Sequence, residues 1–335
     1  MRKRLHNPSR FVMINKGSAY YEKEEQGMVP HEGRKRRWGD RYDGFLVRNL
    51  DPMTRMEPYF MPRRYDAWVL FEDKIDITDL EAFIRDKRKG DIPELTLYHV
   101  VFAAIVRTFT EVPELNRFVV NSKVYSRNEI KGSMVVMKGM RRDSERSMIL
   151  PRFQLEDTLT DVVRRIEEET SQIDTTVSSV AEDQNKTNFD KAEFIMGSLP
   201  AWMLKLAMWF LRKTDKHGIM PKSLHKVSPF HSSFFITNMG SIGMDAVFHH
   251  IYEFGTVSIF GAIGRKETYF ELNENGEKKR GVRIKLQFVV DERATDGYLY
   301  ALAFRRIRYY LTHPEDLMKR PEKIEFDVID RVKKG

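Results

Sequence analysis

The stretch Val289–Phe304 reads VVDERATDGYLYALAF: an apolar run ends in Asp291-Glu292-Arg293, and a helical pattern starts after Asp296-Gly297. A carboxylate at such a corner can act as a general acid or base if its surroundings tune it. Asp296 stands where a helix needs an N-cap acceptor, so its expected role is architectural. Gly297 is expected to allow close backbone approach, and Arg293 to find a carboxylate partner. His99 lies within an apolar helical pattern, His249 and His250 are adjacent, and His231 precedes Ser232 and Ser233. Adjacent side chains on a strand point to opposite faces, so the histidine pair does not predict a metal site. No Gly-x-Ser-x-Gly elbow surrounds the serines, and no Gly-x-Gly-x-x-Gly or Walker sequence occurs.

These groups must be positioned by a chain of 335 residues, long enough for a sizeable core. It has no cysteine, which rules out disulfides and thiolate metal ligands and fits a reducing, cytoplasmic setting. The N-terminal residues show no apolar core of a secretory signal. Net charge is +8, and residues 1–41 hold eleven Lys/Arg against five Asp/Glu. The cluster Gly33–Trp38 (GRKRRW) could meet phosphate, but no nucleic-acid-binding motif accompanies it, so a solvated arm is expected.

Residues 1–61 are polar and rich in Gly, Pro and aromatics, and are expected to form an extended arm. A strand is predicted at 67–71 and a helix at 79–87 behind Asp76 or Thr78. A buried helix is predicted over 97–109, capped by Thr96 and ended by Pro113. Residues 117–127 predict a hairpin turning at Asn121 and Ser122. A strand at 132–138 and an amphipathic helix at 158–173 follow, then a polar loop at 175–191. Further on come a hydrophobic, basic helix at 199–212, strands at 232–238 and 256–264, and two strands joined by a turn at NENGEKK. Asp296 caps the last helix and Pro314 stops it. Interleaved strands and helices with hairpins predict an α/β fold, a mixed sheet covered by helices.

Two stretches, Phe234–Asp245 (FFITNMGSIGMD) and Val289–Gly297 (VVDERATDG), together resemble the catalytic domain of the dihydrolipoyl acyltransferases of 2-oxo acid dehydrogenase complexes. EDKIDITDLEAFI, VPELNRFV and THPEDL match further motifs of that family in its order, so the resemblance runs from about Pro62 to Leu317. It implies the chloramphenicol acetyltransferase-like fold, with a catalytic domain at 62–320, an insertion at about 185–228 and a tail at 321–335. A homotrimer, or a larger assembly of trimers, with active-site channels between subunits is also implied. Lys74 in Glu72-Asp73-Lys74 does not suit lipoylation, because a lipoyl lysine sits at the hairpin tip of a separate module. The chain therefore resembles the acyltransferase core without its carrier arm.

In the family, the histidine of Asp-His-Arg-x-x-Asp-Gly removes the proton from a thiol that attacks a thioester. A Ser or Thr of the first motif steadies the oxyanion. Carried over, Thr237 keeps the hydroxyl, Asn238 follows it as a structural residue of the site, and Glu292 stands where the histidine would. Relative to His, Glu is the weaker base by about 2 pKa units, worth about 3 kcal/mol or on the order of a hundredfold in rate. Protonated Glu is also neutral, so it lacks the cation that steadies the developing anion. Glu292 is thus either a retuned base, the mark of a catalytically silent binding or scaffold protein (a pseudoenzyme), or a structural acid. His250 and His99 are alternative bases. The resemblance implies an acyl-coenzyme A or acyl-carrier thioester as substrate, an unknown acceptor and no metal. Residues 198–226 suit a membrane surface, an acyl pocket or packing against a neighbour.

Overall fold

The computed structural model describes residues 30–137, 146–174, 197–272 and 276–330. The loop expected at 175–191 lies outside them, as do residues 273–275 of the NENGEKK turn. In chain order the elements begin with β1 (Gly44–Leu46), α1 (Pro52–Phe60), β2 (Trp68–Asp76), α2 (Thr78–Lys89) and α3 (Leu97–Glu111). There follow β3 (Arg117–Val120), β4 (Lys123–Arg127), β5 (Ile130–Met137), β6 (Arg146–Ile149), β7 (Arg152–Phe153) and α4 (Leu159–Asp174). The C-terminal half holds α5 (Ala201–Lys216), α6 (Lys222–Val227), β8 (Phe234–Asn238), β9 (Ile259–Ile263), β10 (Glu267–Leu272), β11 (Lys278–Asp291) and α7 (Gly297–Thr312).

The mixed sheet centres on β11. One edge of β11 pairs with β2 and the other with β9 and β10, all antiparallel. Beyond β9 comes β8, parallel both to β9 and to β5, and β6 and β7 pair with β5. Alternation along the strands sorts the side chains. Phe234, Ile236 and Phe288 join the main core beneath α2, α3, α4 and α7, whereas Phe235, Phe260 and Val289 pack with Ile251 and Val257 on the opposite face. α3 is apolar almost all round and contacts both α4 and α7, which is the packing expected of a central buried helix. The mixed sheet covered by helices predicted from the sequence is therefore present.

Local signals act as read. Thr96 caps α3, and Asn121 and Ser122 both adopt left-handed backbone at the β3–β4 turn. Strand β2 runs on to Asp76, so Lys74 lies inside it, opposite Lys285, rather than between a strand and a helix. The arm contains two elements not singled out from sequence. β1 joins the β3–β4 hairpin as its third strand, and α1 is started by Asp51, whose carboxylate accepts from Met53 N and Thr54 N, with Pro52 at the first helical position.

The arm is held by charge. Arg34 and Arg37 of the basic cluster pair with Asp330 near the C-terminus. Arg41 is buried between Asp43 and Asp215, 2.8 Å from each, and also donates to the Asp215 backbone carbonyl. His225 lies 3.3 Å from Asp43, and His231 lies 3.4 Å from Asp215. Burial pushes His231 down to about 4 despite the pull of Asp215, so the ring is neutral at pH 7. Desolvation alone would raise the Asp43 and Asp215 carboxyls, but His225 and His231 beside them, with Arg41, hold both below the usual range. This network fixes the last turn of α5 and the segment leading into β8.

Candidate active site

Strand β11 ends at Asp291, and a tight turn carries the chain into α7. Asp291 is fully buried and takes a two-pronged contact from Arg293, with Nε to Oδ1 and Nη2 to Oδ2 both at 2.8 Å. Arg293 Nη1 also donates to Met61 O, and the buried Tyr300 hydroxyl donates to Asp291 O. The pairing expected for Arg293 therefore falls on its neighbour two residues back. Glu292, between them, is left over: its backbone N–H bonds to Ala67 O, but its half-buried carboxylate has no hydrogen-bond or ion-pair partner among the described residues.

Asp296 caps α7 by accepting from Leu299 N at 2.9 Å, as read from the sequence, and among the described residues makes no ion pair. The expectation for Gly297 fails. A Cβ there would meet nothing within 4 Å, so no close approach demands glycine. The demanding glycine belongs to the first motif: a Cβ on Gly240 would come within 2.7 Å of Gly264 O.

Thr237 is half-buried near the end of β8, on the face of Phe235, and its Oγ1 touches Met239 Sδ at 3.9 Å. Asn238 is exposed and accepts from Ser241 N, closing the turn that follows. Thr237 pairs with Ala262, which pairs with Gln287, so Thr237 sits two strands from β11 and level with Gln287. Glu292 lies five residues further along. At about 3.4 Å per residue and 4.8 Å per strand, the two are on the order of 20 Å apart within one chain. One protomer therefore does not bring the two candidate groups together.

Neither alternative base is placed for the task. His99 serves the start of α3, with Nδ1 accepting from Thr96 N and Nε2 3.2 Å from Glu167 Oε1. Burial pushes it down to about 4, and with both ring nitrogens engaged at the start of α3 it is not free to take a thiol proton. His250 is exposed and stacks on Trp68, which pairs with Asp291 across the β2–β11 ladder. It is thus near the corner, but as a ring contact. His249 lies flat on Phe260 with ring centroids 4.1 Å apart. Among the described residues no three His, Cys, Asp or Glu are placed to hold a metal ion. Ser228 Oγ lies 2.7 Å from His231 Nδ1, with Asp215 on the ring's other side, a serine–histidine–aspartate order. Its histidine is too weak a base to activate a hydroxyl, and Arg41 already engages the aspartate.

Two residues near the corner escaped the sequence reading. Glu57 on α1 is held above the usual carboxyl range by burial first and then by the negative charge of Glu292. Its signal was the Asp51-Pro52 helix start. Nothing in the sequence singles out Trp68, whose buried Nε1 has no hydrogen-bond partner.

Residues 222–319 match the model of the 2-oxoacid dehydrogenases acyltransferase (catalytic domain) family. No curated protein matches the sequence. Among solved structures, the chain is similar to a probable dihydrolipoamide acetyltransferase from Listeria monocytogenes at 12% identity, covering 79% of this chain and 94% of that one with a TM-score of 0.49. It is similar to a truncated catalytic core of the 2-oxoacid dehydrogenase multienzyme complex from Thermoplasma acidophilum at 12% identity, with 80% and 98% covered and a TM-score of 0.47. For a chloramphenicol acetyltransferase the values are 10% identity, 79% and 100% covered and a TM-score of 0.42. Both motifs, Thr237-Asn238-Met239-Gly240 and Asp291–Gly297, fall inside the residues that match the acyltransferase catalytic-domain model.

Proposed function

We propose that this chain is a coenzyme A-dependent acyltransferase with Glu292 as its base. The observation that carries the reading is the carboxylate of Glu292, unpaired among the described residues and half-buried between two residues that satisfy each other. An acid kept only for architecture would be expected to hold a cation. In the proposed reaction, Glu292 takes the proton from an incoming thiol as its sulfur attacks the carbonyl carbon of a thioester. Thr237 Oγ donates to the oxyanion, and collapse expels the first thiolate, which recovers the proton from Glu292. Because Thr237 and Glu292 lie far apart within one chain, the working site pairs Thr237 of one copy with Glu292 of another, in keeping with a homotrimer. The apolar, exposed Ile242, Met244, Val247 and Phe248, shortly after Thr237, suit such a subunit contact.

Transfer of acetyl and longer acyl groups from coenzyme A to an added thiol, followed as the new thioester by mass spectrometry, tests this. Glu292→Gln should lose activity on the order of a hundredfold or more, and Glu292→His should retain or raise it. Mixing Glu292→Gln with Thr237→Ala chains should restore part of the rate if copies share sites. A rate indifferent to Glu292→Gln removes the base. The second reading, a silent acyl- or coenzyme A-binding scaffold, draws support from Asp296. In relatives that position makes a structural ion pair, which the Asp296 described here lacks. Acyl-coenzyme A binding without turnover would establish it.

A further inference from the structure

Helix α5 is apolar on two faces, and the described residues cover only one of them. Leu204, Ala207, Met208 and Leu211 are half-buried, and the helix is seated at its last turn by Thr214 and Asp215. The other face carries Trp202, Leu206, Trp209 and Phe210, which are 67%, 58%, 61% and 56% exposed, with Met203 beside them. At 3.6 residues per turn these five fall within a stripe ~120° wide. Lys205, Arg212, Lys213 and Lys216 border the stripe or extend its C-terminal end. All are exposed, and none has an ion pair among the described residues. The only acid of the helix, Asp215, is buried against Arg41. The exposed surface of α5 is therefore a greasy stripe edged by four cations with no exposed acid.

We propose that α5 lies in the surface of an anionic lipid bilayer, its stripe below the headgroups and its lysines and arginine among the phosphates. Charge selects this occupant. Two copies meeting through the same face would bring eight cations together without one acid to offset them, whereas anionic headgroups attract each cation. Paired indoles two turns apart, with long cationic side chains beside them, are the composition that rests at a membrane interface. The helix spans about 24 Å with a charge in each half, and no described helix is long and apolar enough to cross a membrane. The contact is thus in-plane, and it uses no residue of the candidate active site, so it stands whether or not the acyltransferase reading does.

The test is flotation of the full chain with phosphatidylcholine vesicles made with and without phosphatidylglycerol. The protein should float only with the anionic vesicles, less as salt rises. Its tryptophan emission should shift to the blue, since Trp202 and Trp209 are two of the chain's four tryptophans. Leu206→Glu with Trp209→Glu should abolish flotation, and each of Lys205→Gln and Lys213→Gln should weaken it roughly fivefold. All four are surface changes whose folding circular dichroism can verify. Should the double variant misfold, the lipid and salt dependence of the unaltered chain decides. Flotation absent at low salt, equal with neutral vesicles, or unchanged in a folded double variant overturns the proposal. A change in solution mass in the double variant, with no vesicle binding by the parent, would instead assign the face to a protein contact.

Discussion

Asp291 with Arg293 at the β11–α7 corner, and Arg41 with Asp215 at the foot of α5, are both buried ion pairs, but their neighbours differ. Around Arg41 the surplus is taken up: Asp43 pairs with the same guanidinium, and His225 and His231 lie against the two carboxylates. At the corner the pair closes on itself and leaves Glu292 outside, while the Glu57 carboxyl is raised by burial first and by the charge of Glu292 second. The contrast separates charges that hold a fold from a charge that is free to act. Removing a partner from either pair strands a buried ion, whereas changing Glu292 strands nothing.

The strongest way to break this contrast is Asp291→Ala, which leaves Arg293 buried without its counter-ion. It should cost about 3–5 kcal/mol in chemical denaturation. Glu292→Gln should stay within about 0.5 kcal/mol of the parent. Comparable losses would show that Glu292 is structural after all. Next comes pH. Burial holds both His99 and His231 near 4 in the fold, against 6.5 when unfolded. The unfolded chain therefore binds more protons between those values. Stability should be intact above about 6.5 and fall as pH drops toward 4, by ~3 kcal/mol for each ring. Urea midpoints across that range measure the slope, which His231→Asn should lessen. Smaller again is Asp296→Ala, expected to cost ~1 kcal/mol as the loss of an N-cap. Last, Gly297→Ala should be neutral or stabilise by up to about 0.7 kcal/mol, because open space surrounds that position. A large loss there would mean that a neighbouring copy presses on the corner.

What could be read from the residues was whatever is decided locally. The α3 cap, the left-handed pair at Asn121 and Ser122, and the Asp296 cap all depend on a few consecutive residues. α1 was equally local, signalled by Asp51-Pro52, but the polar surroundings hid it. Long-range facts were out of reach. Arg41 meets Asp215 across 174 positions, and no pattern in either segment announces the other. The distance between Thr237 and Glu292 depends on two strand registers, so spacing along the chain said nothing of it. Glycine was misread in the opposite direction: the motif made Gly297 look constrained, while contact with Gly264 constrains Gly240.

The Arg41 junction also bears on where this chain can be cut. Cleavage after residue 61, at the edge of the family resemblance, would take away β1 and the guanidinium that engages Asp215. A fragment starting there would carry an uncompensated acid inside it and loosen the seat of α5. The shortest self-sufficient piece must therefore begin upstream of Arg41, even though the matched residues start only at 222.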